Sequence, residues 1–315
     1  MRKADLNMSK YQIYNIKSES DLLRLRHQMA VVDGHDKRVR LRLGIDSLDH
    51  ALAGGLSLGR VHLLSGSMQA HGAVSGFAIA LLGMLQHHLY INEHVETNSA
   101  SSVSPANHQN KDVGLIMWCP ASQRGAAGML YGHGLAAVGL DPARLLILDT
   151  PSPSRRLAAL DDILRTKGLA AVVIEYDGLQ KSADYWMRLA RRAQLAAEGS
   201  GITVFLLGAP IATSGFETAW QIKPAPDFAM QSNPVLVRRS VWDLTLQRAR
   251  GGRPHTCRAA WQAGIAGLQA IDQNGFSSHM PVESDLNIGH WQQTQWPIAD
   301  AQSSEHIPAI HTLAI

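Results

Sequence analysis

Leu169-Ala-Ala-Val-Val-Ile174, then Ala183 to Glu198, then Ile202-Thr-Val-Phe-Leu-Leu207 decide the fold of this chain. The two short runs are apolar but for Thr203, and the Ala-, Leu- and Arg-rich stretch between them has helical length. A strand without polar alternation has both faces buried. A helix between two such strands returns the chain to begin the next strand in the same direction. The triplet predicts a βαβ unit in a parallel sheet.

The pattern extends outward. Val61-His62-Leu63-Leu64, Leu115-Ile-Met-Trp118 and Leu145-Leu-Ile-Leu148 read as further buried strands, the last after the turn Gly139-Leu-Asp-Pro142. Gly72–His88 and Ser154–Thr166 read as helices. Ser240-Val-Trp-Asp-Leu-Thr-Leu246 alternates with period two, as does Cys257 to Trp261, so both suit antiparallel edge strands. The expectation is an α/β protein: a mostly parallel central sheet flanked by helices, antiparallel edge strands and an irregular C-terminal tail.

Composition agrees. The chain has 315 residues, 45% hydrophobic and 17% charged, which excludes global disorder. Cys119 and Cys257 lie far apart and in no metal spacing, which argues against a disulfide scaffold or a zinc site. The fifteen histidines, His87-His88 among them, show no ligand spacing with acids, so no metal is expected. The longest apolar stretch, Gly76 to Leu85, is too short to span a bilayer, and the N-terminus lacks an apolar signal core. A cytoplasmic protein with no membrane partner is expected.

Three regions follow. Residues 1–40 form a basic extension, in which Ser18-Glu-Ser-Asp21 leads into a short helix. Residues 41–262 form the core, interrupted by a polar insertion at 92–112 read as a flexible loop. Residues 263–315 contain no Lys or Arg and five acidic side chains, and are read as a weakly acidic, disordered tail. Against the overall +3, that leaves +8 on the rest of the chain, a balance that suits a protein working near nucleic acid.

Where such a sheet passes from its first strand into the following helix lies the natural anion site. Ser65-Gly-Ser-Met-Gln-Ala-His-Gly-Ala-Val-Ser75 occupies it. A phosphate loop needs glycines for close backbone approach, a Lys for the terminal phosphates and a Ser or Thr for magnesium. Gly66 and Gly72 stand as the loop glycines, one residue too far apart. Ala73 replaces the Lys, Val74 replaces the Ser or Thr, and Ser75 comes one position late. Losing the Lys removes a stabiliser of transition-state charge, so ATP hydrolysis is not expected. Helix dipole and backbone N–H groups still leave room for weak nucleotide binding, with no cofactor required. Glu175, at the end of Ala171-Val-Val-Ile-Glu175, stands where a magnesium-holding carboxylate belongs, with Asp177 two residues on. Given the broken loop, a strand-end carboxylate making local hydrogen bonds is the favoured reading of Glu175.

Residues 238–258 carry Arg238, Arg239, Arg248, Arg250, Arg253 and Arg258 against Asp243 alone. Arginines on a Gly-rich turn can follow phosphates, so this segment is a candidate contact for nucleic acid or for a protein partner.

Four segments carry a family resemblance: Leu43-Gly-Ile-Asp-Ser-Leu-Asp-His-Ala-Leu-Ala-Gly-Gly-Leu-Ser-Leu-Gly-Arg60, Gly134 to Leu146, Arg191 to Ile202, and Leu246-Gln-Arg-Ala-Arg-Gly-Gly-Arg-Pro254. In this order they resemble the ImuA family, the RecA-like component of the bacterial SOS mutagenesis cassette, over residues 41–262. The resemblance implies a RecA-like core, a nucleoid-associated role in damage-induced translesion synthesis, and partnership with ImuB, an error-prone DnaE-type polymerase and RecA. Two alternatives stay open: a divergent NTPase using Ser75 with Glu175 or Asp177, and a SulA-like cell-division inhibitor.

Overall fold

The computed structural model describes residues 39–99, 114–121, 130–150, 152–176, 182–208, 215–227, 239–261, 267–271 and 311–314. Helix α1 spans Asp46–Ala51, α2 His71–Ser99, α3 Gly132–Ala137, α4 Pro153–Ile163 and α5 Ala183–Ser200. The strands are β1 Arg40–Leu41, β2 Leu56–Ser57, β3 Val61–Ser65, β4 Leu115–Cys119, β5 Leu145–Asp149, β6 Leu169–Glu175, β7 Thr203–Leu207, β8 Thr218–Pro224, β9 Ser240–Ala249, β10 His255–Trp261, β11 Leu268–Ala270 and β12 His311–Ala314.

Among the described residues ten strands form one sheet in the order β11-β10-β9-β8-β3-β7-β6-β4-β5-β12. From β8 to β12 every pairing is parallel. Strands β8 to β11 pair antiparallel. The fold class read from the sequence is therefore the one observed.

The continuous apolar runs are explained by burial on both faces. In β6, Ala171 and Val173 enter one hydrophobic cluster while Val172 and Ile174 enter the other. Strand β7 divides the same way, with Phe205 and Leu207 on one face and Val204 and Leu206 on the opposite one. Helices α1 and α2 cover the first face together with Trp220 and Trp242. Helices α4 and α5 cover the second, α5 through Trp186, Leu189, Ala190, Ala193 and Ala197.

Helix α2 is longer than its sequence pattern indicated. It continues past His88 to Ser99 and so takes up the first residues of the segment read as a loop at 92–112. The rest of that segment lies outside the described residues. By length and composition, His71–Ile91 could cross a bilayer, but Phe77, Ala78, Leu81, Leu82 and Leu85 are buried in the protein core. The short helix read after Ser18 also lies outside the described residues.

Strand β8 was not anticipated, yet it sits beside β3 at the centre. It carries a buried polar relay. His62 on β3 donates from Nε2 to the Ser57 carbonyl at 2.9 Å. Its Nδ1 therefore accepts the Thr218 hydroxyl at 2.8 Å, and Thr218 Oγ1 accepts the Trp220 indole N–H at 2.7 Å. The ring is fully buried, and burial pushes its pKa down to about 4.

Candidate functional site

The turn from β3 into α2 holds the positions that a phosphate loop would use. Residues Met68–Ala70 wind into a single 3-10 turn, closed by Ala70 N–H donating to the Ser67 carbonyl at 2.9 Å. That bond consumes a backbone donor that an anion-binding loop would leave free. Val74 is buried in the core, and Ala73 packs partly buried against it. A Cβ added to Gly66 would stand 2.7 Å from Val74 Cγ2 and 2.9 Å from the Ile222 carbonyl. Gly66 is thus required for room, and an apolar side chain fills the space its missing Cβ leaves. Gly72 is exposed and has nothing within 4 Å of its added Cβ.

Glu175 ends β6 at the carboxyl edge of the sheet, where parallel α/β folds gather their ligands. Its oxygens are committed to the protein. Oε1 accepts the Trp118 indole N–H at 3.0 Å, and Oε2 accepts the Ala121 backbone N–H at 2.9 Å. The same corner is tied from below by Arg156 on α4, which is buried. Arg156 donates to the Glu175 carbonyl at 3.1 Å and to the Ala121 carbonyl. Trp118 and Ala121, at the end of β4 and just beyond it, serve this knot. Cys119 lies inside it, and burial pushes its thiol up to about 12. Asp177 lies outside the described residues.

Gly208 closes the neighbouring strand end with a left-handed φ of 79°. Its N–H donates to the Leu64 carbonyl at 2.8 Å, and a Cβ there would meet the Tyr176 carbonyl at 2.8 Å. The ends of β3, β6 and β7 are therefore drawn tightly together.

The arginine segment divides in two. Arg239 forms a two-pronged ion pair with Asp227, at 2.6 and 3.2 Å, and both side chains are nearly buried. Arg258 pairs across the strands with Asp243 at 2.7 Å. The first pair ties the chain leaving β8 to the chain entering β9, and the second bridges β9 and β10. Arg248, Arg250 and Arg253 form no ion pair among the described residues, and Arg250 and Arg253 are exposed. Arg238 lies outside the described residues. The β9–β10 turn that presents these arginines is fastened by its backbone. Arg250 N–H donates to the Glu217 carbonyl at 2.8 Å and Arg253 N–H to the Ala51 carbonyl at 2.9 Å. Gly252 is pressed so closely on the Ala51 carbonyl that a Cβ would lie 2.1 Å from it. A turn fastened in this way, presenting guanidinium groups that have no ion pair among the described residues, suits contact with phosphates or carboxylates.

Two participants escaped the sequence reading. Arg156 stands in the unremarkable run Ser152-Pro-Ser-Arg-Arg156, and nothing in that run marks which arginine turns inward. Asp227 precedes Arg239 by a stretch with no periodic pattern, so only the fold could pair them. Among the described residues no three His, Cys, Asp or Glu side chains gather as a metal-binding group.

No family model matches the chain. It is similar to Protein ImuA of Caulobacter vibrioides, strains NA1000 / CB15N and ATCC 19089 / CIP 103742 / CB 15. With each it shares 31% identity over 137 residues, covering 40% of this chain and 53% of the relative. The chain thus spans about half the length of the curated relatives it matches. Over that shared stretch the comparison supports the resemblance to the ImuA family that the four sequence segments carry.

Proposed function

We propose that this protein is a non-catalytic adaptor with a RecA-like core. It serves the SOS translesion mutasome and supports damage-induced mutagenesis with ImuB and an error-prone DnaE-type polymerase. The single observation that carries the non-catalytic part is the commitment of both Glu175 oxygens to Trp118 and Ala121, beside a β3–α2 turn filled by Val74. A carboxylate that already holds two protein donors keeps only part of its acceptor capacity, and little freedom to reorient, for a magnesium water shell. The turn offers neither a Lys nor an empty backbone cradle for a triphosphate. A sheet retained without the chemistry of its edge is suited to holding other proteins. The similarity to ImuA supports the choice of pathway.

On this reading the exposed Arg250 and Arg253, with the half-buried Arg248, contact DNA or an acidic partner surface, ATP is not turned over, and the protein works at the nucleoid. Affinity capture of the tagged full chain from cells treated with a DNA-damaging agent tests it. Recovery of ImuB, the polymerase or RecA above an untreated control is the expected result. Magnesium-dependent ATP hydrolysis by the purified protein, abolished by Glu175→Gln, would overturn the adaptor reading.

A further inference from the structure

Strand β5 carries little that protects an exposed sheet edge beyond its terminal Asp149. Its five residues, Leu145-Leu-Ile-Leu-Asp149, include no Lys and no Pro, and its pairing with β4 runs without a bulge. Such an edge is a template for another strand. The occupant is β12, which pairs in parallel with His311 opposite Leu146, Thr312 opposite Ile147, Leu313 opposite Leu148 and Ala314 opposite Asp149.

The connection of β12 to the rest of the chain is unusual. The preceding strand, β11, lies at the opposite edge of the same sheet. Nine strand spacings of about 4.8 Å place the two edges roughly 43 Å apart, whereas consecutive elements in most sheets are neighbours. The 40 residues from 271 to 310 join them. A chain of that length can extend beyond 100 Å, so it does not dictate where β12 sits. It supplies a high local concentration, on the order of millimolar or below. Among the described residues β12 meets β5 in a parallel ladder of only four register pairs.

We propose that the β5 edge is a strand-accepting site that the chain's own C-terminal strand, His311–Ala314, closes reversibly. When the strand leaves, the edge takes the same segment from a second copy, so release of the tail and self-association are coupled. This inference does not depend on the adaptor reading, since it rests only on the sheet edge.

The test uses the full chain and a fluorescein-labelled peptide of residues 305–315, read by anisotropy. Consecutive residues in a strand direct their N–H groups to opposite sides. The double substitution Thr312→Pro with Leu313→Pro therefore removes a ladder donor whichever of the two faces β5. The variant should bind the peptide at least tenfold more tightly than the unaltered chain, whose own strand competes at its local concentration. Equal binding to both proteins, or binding to neither, would overturn the proposal. Hydrogen exchange on the unaltered chain gives an independent readout should the variant not fold. Amides of residues 311–314 should exchange at least a hundredfold faster than those of β6, and added peptide should slow exchange in β5. Protection of 311–314 equal to that of β6 would show a permanent strand and overturn reversibility.

Discussion

The indole N–H of Trp118 points at the carboxylate of Glu175, 3.0 Å away, across the neighbouring ends of β4 and β6. A residue placed where a metal-binding acid belongs thus anchors a buried tryptophan.

Glu175→Ala leaves the Trp118 and Ala121 donors without their acceptor. Hydrogen bonds to a charged group contribute about 1.5–3 kcal/mol each, so a loss of roughly 3 kcal/mol in unfolding free energy is expected. Glu175→Gln should be nearly as harmful, because its amide nitrogen turns a donor towards a donor. Urea denaturation of the three proteins checks this. An unchanged midpoint in Glu175→Ala would mean that the carboxylate is not structural.

Gly66→Ala drives a methyl group into Val74 and the Ile222 carbonyl. Overpacking of this kind costs about 1–3 kcal/mol. Combining it with Val74→Ala removes one of the two clashes, so the double variant should be more stable than the two separate losses predict. A double-mutant cycle by denaturation measures that coupling.

Stability should fall in mild acid through His62. Its pKa is about 4 in the folded protein against an ordinary 6.5, so the unfolded chain binds the proton more readily. The contribution is complete above about pH 6.5 and is lost as pH falls towards 4, amounting to about 3 kcal/mol over the window. Burial also lowers His87, His88 and His255, which act in the same direction. In His62→Phe, the difference in unfolding free energy between pH 7 and pH 5 should shrink by about 2 kcal/mol.

The two classes of arginine should separate cleanly. Arg239→Ala breaks a nearly buried pair and strands Asp227, which should cost about 2–4 kcal/mol of stability. The triple change Arg248→Ala, Arg250→Ala, Arg253→Ala should leave the melting temperature within a few degrees. If these side chains follow a DNA backbone, the slope of log affinity against log salt should fall by about 2–3. Filter binding across a salt series, with calorimetry alongside, reads both effects.

The parallel sheet was legible because burial on both faces demands apolar runs, and β4, β5 and β6 each show one, while β3 and β7 do so apart from His62 and Thr203. Strand β8 was not. Its Thr218, Gln221 and Lys223 dilute the pattern, and its place beside β3 depends on a relay through His62 that no local window contains. Strands β11 and β12 are short, and they come from a segment read as irregular because three or four residues carry no period. At the candidate site, the missing Lys was plain from Ala73, while the filling of the turn by Val74 was not.

What the amino-acid order determined alone was which segments could be buried, and that neither a Lys nor a Ser or Thr stands at positions 73 and 74, which are Ala73 and Val74. Both are local properties of residue type and spacing. The tertiary structure decided which charges are spent and which are free. Arg239 and Arg258 are neutralised, while Arg250 and Arg253 stay exposed without an ion pair among the described residues. It also decided that His311–Ala314 lies along Leu146–Asp149. The physical reason is distance along the chain: partners separated by tens or hundreds of residues meet only when the whole sheet is assembled, and no short stretch of sequence encodes that meeting.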